Sequence, residues 1–380
     1  MDASVVACDR NSPEFLDEVR LALTPGVGPK WRQRLLDHFG SAAAVFNATL
    51  GDLSAVPSMQ KRLAEAVVRA RREVDAEREI ERCARQGVEI LLDRDPRYPR
   101  LLKECQQPPG ILFVRGEFKP EDAASVAIVG SRHGTRYGLQ QAEKFAGTLA
   151  RAGLTIVSGL ARGVDGAAHR AAIDAGGRTI AVLGGGLGKI YPPEHRGLAD
   201  DVAEHGAVIS EAPLDAEPKS GMFPQRNRII SGLSLGIVVV QAALRSGALS
   251  TAQHAAEQGR EVFAVPGPVD DPMSRGCHRL IRDGVRLVES AQDVLEDLGV
   301  LRSFRRSSLE PRESPEPSRA EPLLDDAEAA VYRLIAGPAV SIDEVMRDSQ
   351  LPAHEALAAI GMLEMRRLIK RLEGSRVQRV

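Results

Sequence analysis

The chain is short of cysteine, has no excess charge of either sign and lacks a long apolar run, and each shortage removes a class of protein. Its four cysteines, Cys8, Cys83, Cys105 and Cys277, show no Cys-x-x-Cys spacing and no nearby histidine pair. That argues against a zinc site or a disulfide framework and leaves buried or incidental thiols. Fifty Lys and Arg against fifty-two Asp and Glu give a net charge of −2. The molecule as a whole then has no field to draw in a polyanion, and any nucleic-acid site must be a local patch. No stretch approaches the roughly eighteen uninterrupted apolar residues that a membrane helix requires. Residues Met1 to Arg10 lack a basic region followed by an apolar stretch, so no secretory signal is expected and the protein is placed in the cytoplasm. Motifs that assemble a nucleophile or a catalytic metal are also missing: there is no Gly-x-Ser-x-Gly elbow, no His-Glu-x-x-His and no consistently spaced carboxylate pair. Neither catalytic residues nor metal ligands nor a cofactor are expected.

At 380 residues, 43% hydrophobic and 27% charged, the chain is long enough for two or three globular domains. Residues 14 to 78 carry apolar side chains at three- and four-residue spacing, the pattern of a small helical module. Between its first two helices, Thr24-Pro25-Gly26-Val27-Gly28-Pro29-Lys30 makes a tight turn that exposes backbone N–H groups, as in helix-hairpin-helix DNA modules. A plain interhelical turn is the alternative. A second copy near Val56-Pro57-Ser58-Met59 lacks the glycines.

From Val126 onward, β-branched runs alternate with helix-sized segments, at 126–129, 154–157, 178–183, 207–209, 237–240, 262–265 and 285–288. Fully apolar strands with this spacing form a parallel sheet covered on both faces. Such Rossmann-like sheets hold ligands at the carboxyl ends of their strands. Residues 303 to 325, with Pro311, Pro315, Pro317 and Pro322 among charges and serines, have the composition of a linker. Beyond it, segments 327–334, 342–348 and 353–363 are amphipathic helices, and 368–377 is a hairpin, the winged-helix order. A helical dimerisation tail is the alternative. The expected fold is thus α/β: an extended Rossmann-like parallel sheet (79–302) flanked by an N-terminal helical module of helix-hairpin-helix or SAM-like type (1–78) and a C-terminal winged-helix module (326–380).

The strand ends concentrate the candidate binding residues. Gly130-Ser131-Arg132 offers backbone N–H groups and a guanidinium to a phosphate. Ser158-Gly159-Leu160-Ala161-Arg162-Gly163-Val164-Asp165 follows the next strand, so Gly159 and Arg162 join the set. Asp165 and His169 are a helix N-terminal carboxylate and a packed histidine in preference to an acid–base pair. In Phe223-Pro224-Gln225-Arg226-Asn227-Arg228 the ring can stack on a base. Arg226 can pair with phosphate, Asn227 can bond a base edge or hold a neighbouring loop, and Arg228 is placed on solvent. Ser246-Gly247 opens a further helix N-terminus, an anion cradle or a simple cap. The segment Gly184 to Ile190 is one residue too short for a P-loop and has isoleucine where magnesium binding needs Ser or Thr, and Gly130 to Gly134 does not match the dinucleotide fingerprint.

Taken in order, Ala127 to Arg132, Ser158 to Asp165 with His169, Tyr191-Pro192-Pro193, Phe223 to Ile230, Ser246 to Ala252 and Val265-Pro266-Gly267 resemble the DNA-processing protein A family, DprA, also called Smf. The resemblance covers residues 85 to 298 most specifically. It implies a homodimer that binds and protects single-stranded DNA and loads RecA recombinase onto it, in natural transformation or recombination. By position, it implies a pocket of Gly130, Ser131, Arg132, Phe223, Arg226, Asn227, Ser246 and Gly247, with Arg162 added on geometric grounds. Two positions depart from the family pattern: Ser220 stands where a pocket lysine is expected, with Lys219 one place earlier, and His278 replaces the usual asparagine. Two competing readings are a nucleoside-monophosphate N-glycosidase of a related Rossmann-like group, whose proline and catalytic glutamate are missing around Gly184 to Gly188, and a binding module for a small nucleotide. Basic residues of the last segment, Arg366, Arg367, Lys370, Arg371, Arg376 and Arg379, are either a second DNA contact or a solvated face.

Overall fold

A computed structural model describes residues 12–299, 325–335, 340–365, 368–372 and 375–379. Nearly all of the expected linker, and Cys8, lie outside the described residues. The chain divides into two compact units, residues 1–305 and 306–380.

The strands of the first unit are β1 (Glu89–Leu92), β2 (Ile111–Gly116), β3 (Ser125–Val129), β4 (Thr155–Ser158), β5 (Thr179–Leu183), β6 (Gly206–Ser210), β7 (Gly236–Val239), β8 (Glu261–Ala264) and β9 (Arg286–Leu287). They form one sheet in the order β1-β2-β6-β5-β4-β3-β7-β8-β9. From β6 through β9 every pairing is parallel. The seven expected runs are these parallel strands. Strands β1 and β2 lie outside the expected runs, and they pair antiparallel, β1 with β2 and β2 with β6. Their apolar runs, Glu89-Ile90-Leu91-Leu92 and Ile111-Leu112-Phe113-Val114, have the same composition as the others. They lack only the helical spacer that marks a parallel crossover.

Strands β3 to β7 are buried along their whole length because each face carries its own helical layer. Alternation sends Val126 and Ile128 of β3 into a core with Phe145 and Leu149 of helix Arg136–Arg151 and Ala168 of helix Val164–Asp174. Ala127 and Val129 point the other way, to Ile229, Ile230 and Leu233 of helix Met222–Leu233 and Ala252 of helix Gly247–Glu257. Burying one such aliphatic or aromatic side chain is worth about 1.5–3 kcal/mol, which is why the β-branched runs settle here.

Among the described residues, six helices precede β1: Pro13–Leu23, Pro29–Phe39, Ala42–Asn47, Leu50–Ser54, Lys61–Glu73 and Ala76–Arg85. The first five gather Leu21, Leu35, Val45, Val67 and Ala70 into a core of their own. Phe15, Val19 and Cys83 instead share a core with Ile90, Phe113 and Leu183 of the sheet. An ion triad ties the same elements: the buried Arg32 donates to Glu18 and Asp93, each at 2.7 Å. The helical module is therefore built against the antiparallel edge of the sheet.

In the second unit, helices Asp326–Leu334, Ile342–Asp348 and Ala353–Met365 precede strands β11 (Ile369–Leu372) and β12 (Arg376–Arg379), and the short β10 (Val340–Ser341) joins them in the order β10-β12-β11. Asp325 and Ser341 each close a capping box on their helix. This is the winged-helix order that the sequence led us to expect, with β10 as an addition. Arg371 faces Glu364 at 3.5 Å.

Among the described residues no helix is long and apolar enough to cross a membrane, and no three His, Cys, Asp or Glu residues cluster as metal ligands. Cys83 and Cys277 are buried, Cys105 is half-buried, and all three are free thiols.

Candidate nucleic-acid interface

Strand β3 is flanked by β4 on one side and β7 on the other, so the chain reverses its direction of winding at β3. Loops leaving adjacent strands at such a switch point turn apart and leave a crevice at the carboxyl edge. The crevice here is an open cleft of about 780 Å³. Gly130, Ser131 and Arg132 enter it from β3, Ala161 and Asp165 from the loop and helix after β4, and Ser246 and Gly247 from the segment after β7. Phe223, Arg226 and Asn227 enter from the first turns of helix Met222–Leu233. Residues scattered over more than a hundred positions thus meet in one place.

Phe223 is half-buried. The guanidinium of Arg132 lies 4.8 Å from its ring centroid, and the ring of Tyr191, 42% exposed, is 6.0 Å away and tilted by 48°. The cleft therefore offers a cation and two rings side by side, a combination suited to an anionic ligand with flat faces. Ser131 is buried, and its hydroxyl accepts from the His133 amide at 3.0 Å, which fixes the turn after β3. Ser246 caps helix Gly247–Glu257 by accepting from Ala248 N at 3.3 Å. The cap and the lining position coexist. Asn227 donates from Nδ2 to the Gly247 carbonyl at 3.2 Å, so of its two expected uses it performs the holding of a neighbouring loop.

Arg226 differs from its expected use. It is 6% exposed and donates to the backbone carbonyls of Gly159, at 2.8 Å, and Val182. Burial lowers its pKa to about 10, against the pull of Asp165. Its buried Nε has no hydrogen-bond partner. The guanidinium is thus spent on bracing the loop after β4, because that loop buries carbonyls that need donors. Asp165 grips the same loop from the opposite side, accepting from the amides of Gly159 at 3.1 Å and Ala161 at 3.4 Å. Gly159 is thus clamped through both its carbonyl and its amide, and a Cβ there would come within 2.5 Å of the Arg226 guanidinium.

Arg162 and Lys219 stand outside the lining of the main cleft, and Arg228 is placed differently from expectation. Arg162 is exposed, but its charge is taken by Glu194 at 2.5 Å, and its guanidinium lies 5.8 Å from the Tyr191 ring centroid. It lines a small annex beside Arg132 and Phe223 rather than the main cleft. Lys219 is exposed, and it is Ser220 that lines the cleft. Arg228, expected on solvent, forms a largely buried pair with Glu211 at 2.5 Å and donates to the Gln107 carbonyl at 2.7 Å. Sequence reasoning also passed over the exposed Arg245, which lines the cleft just after β7. A basic side chain beside Ser246-Gly247 was the available signal. His278, the second departure, bonds the Gly267 carbonyl through Nε2 at 3.0 Å and so holds the loop after β8.

His169 is fully buried, with Nδ1 2.7 Å from the Thr179 hydroxyl, as a packed histidine should be. Burial, helped by His195 and Arg170, holds its pKa down to about 3, against about 6.5 in an unfolded chain. The unfolded chain therefore takes up a proton that the folded one refuses. The contribution of neutral His169 is complete above about pH 6.5 and is lost as pH falls toward 3, by about 1.4 kcal/mol per unit. Urea unfolding at pH 7 and pH 4.5 is expected to show a loss smaller by about 3 kcal/mol in His169→Gln than in the wild type. Equal losses would mean that the imidazole is not shielded as its burial implies.

Sheet order and the cleft at the switch point define a Rossmann-like α/β protein. The chain belongs to the DNA recombination-mediator protein A family, whose family model matches residues 89–299; a DprA winged helix domain matches residues 315–375. Protein Smf of Escherichia coli strain K12 is 52% identical over 202 residues, 53% of this chain and 54% of that protein. The match thus spans about half the length of that relative. Among solved structures, DNA processing protein A of Streptococcus pneumoniae aligns with a TM-score of 0.64 and 35% identity over 73% of this chain and 95% of that one. DNA processing protein A of Helicobacter pylori, which binds single-stranded DNA, aligns with a TM-score of 0.51 and 30% identity over 57% of this chain and 96% of that one.

Proposed function

We propose that this protein binds single-stranded DNA in the cleft at the carboxyl edge of β3, β4 and β7. The observation that carries the reading is the Arg132–Phe223–Tyr191 group beside the amide-bearing turns at Ser131 and Gly247. In a single strand every nucleotide presents a flat base and a charged phosphate, and base stacking on an aromatic side chain is worth about 1–3 kcal/mol. A duplex hides its base faces and gives the rings nothing to stack on. The openness of the cleft suits a chain passing through it better than an enclosed mononucleotide.

Membership of the family supports the finer reading: the protein protects single-stranded DNA and loads RecA recombinase onto it during natural transformation or recombination, as a cytoplasmic homodimer. Fluorescence anisotropy of labelled single-stranded and duplex oligonucleotides at about 50 and about 200 mM salt tests the binding step. The single strand is expected to bind preferentially and to weaken by about sevenfold at the higher salt, as counterions return to phosphates released by Arg132 and Arg245. Flat affinity over that range, or displacement of the strand by a mononucleotide at comparable concentration, would count against it.

A further inference from the structure

A second cleft, of about 640 Å³, opens on the far side of Pro224. One wall is the turn between the first two helices with Lys30 and Trp31; the other is the sheet edge at Gly184, with Gln225 and His254. Pro224 and Arg226 line both clefts, so the first turn of helix Met222–Leu233 is a shared ridge between them. Helix Pro29–Phe39 begins in the second cleft with Gly28 as its cap and no capping side chain; Pro29 has no N–H and the Trp31 and Arg32 amides bond the Gly28 carbonyl at 2.9 Å, which leaves the Lys30 amide as the one open donor of the first turn. Lys30 is exposed, and Trp31 is half-buried with Arg34 5.2 Å from its ring centroid. The buried Nε atoms of Arg32 and Arg226, both lining this cleft, have no hydrogen-bond partners. Its one carboxylate of note, Glu211, is neutralised by Arg228.

We infer that the DNA strand held in the first cleft continues over Pro224 into the second, where a base stacks on Trp31 while the ammonium and backbone amide of Lys30 meet a phosphate. This rests on the single-strand reading of the first cleft. The two clefts repeat one chemistry, an aromatic ring beside an exposed cation, on either side of a common wall. Continuity of the groove is what selects a strand as occupant.

Trp31 is the only tryptophan of the chain, so intrinsic emission reports on this cleft alone. Oligothymidylates of about 4 to about 16 nucleotides, the span of known single-strand site sizes, are titrated against the full-length protein, with dye anisotropy and tryptophan emission recorded together. Short oligomers are expected to bind with emission unchanged. Beyond a threshold length, emission should be quenched and Kd should fall by about tenfold, the worth of one stacked base. Lys30→Glu, an exposed change that leaves the core intact, should abolish the gain with length and spare the short oligomers. Emission unmoved at saturation, with wild type and Lys30→Glu equal at every length, would overturn the second cleft while leaving the first. No anisotropy change at any length would overturn the reading on which it rests. Quenching by a hairpin duplex but by no single strand would reassign the turn to duplex DNA and overturn the inference too.

Discussion

Arg132→Ala lowers the affinity for a single-stranded oligonucleotide by about 10- to 100-fold and reduces the slope of log affinity against log salt by about 1. The guanidinium is exposed and engages the Phe223 ring in the free protein. Two roles can be separated by sign. If Arg132 merely covers the ring, a contact worth about 0.5–1 kcal/mol at an exposed site, then alanine uncovers a stacking surface and binding strengthens. If it meets phosphate, alanine removes a charge-assisted bond worth about 1.5–3 kcal/mol and one released counterion. The second role is favoured because Arg132 is exposed and lines the open cleft. Phe223→Ala serves as the complement: it should cost a comparable factor in affinity, about 1–3 kcal/mol, with the salt slope unchanged. Anisotropy titrations at three salt concentrations distinguish the outcomes, and an Arg132→Ala protein that binds as well as the wild type would remove the cleft from consideration.

Gly163→Ala is expected to destabilise the fold by about 3–5 kcal/mol, from backbone strain of about 1–3 kcal/mol and a similar overpacking cost, and to abolish tight DNA binding. Gly163 has φ +74° and caps helix Val164–Asp174, and a Cβ there would lie 2.3 Å from the Ser131 carbonyl oxygen. Neither partner can yield. The clash is with backbone, and the two loops it would force apart are those after β3 and β4, which build the cleft. Gly197→Ala is the control: it sits inside helix Arg196–His205, and a Cβ there meets nothing within 4 Å. The methyl group should instead stabilise the helix by about 0.5–1 kcal/mol. Urea denaturation compares the two, and similar stabilities would show that the loops after β3 and β4 are not locked as described.

Most of the architecture is legible along the chain because the information is local. A strand buried on both faces needs an uninterrupted β-branched run, so β3 to β7 announce themselves, and the amphipathic period of residues 327–363 does the same for the winged-helix unit. Strands β1 and β2 escaped because an antiparallel edge needs no helical spacer, and the spacer was the signal being followed. The lining of the cleft was readable for the same reason the fold was. Ligands of such sheets gather at strand ends, and Gly130-Ser131-Arg132, Phe223 and Ser246-Gly247 stand at strand ends and helix starts in one dimension as in three.

The division of labour among the arginines was not readable, since it depends on which carbonyls and carboxylates the folded chain buries beside each one. Four arginines at positions 132, 162, 226 and 228 look alike in sequence. Packing gives Arg226 to the carbonyls of Gly159 and Val182, Arg162 to Glu194 and Arg228 to Glu211, and leaves Arg132 over a ring in an open cleft. The sequence by itself determined the parallel strands, their order along the chain and the sheet edge at which the cleft opens, because periodicity and turn chemistry act over a few residues. Only the tertiary structure decided which cations remain available there, because a charge is spent or spared by partners far away in the chain.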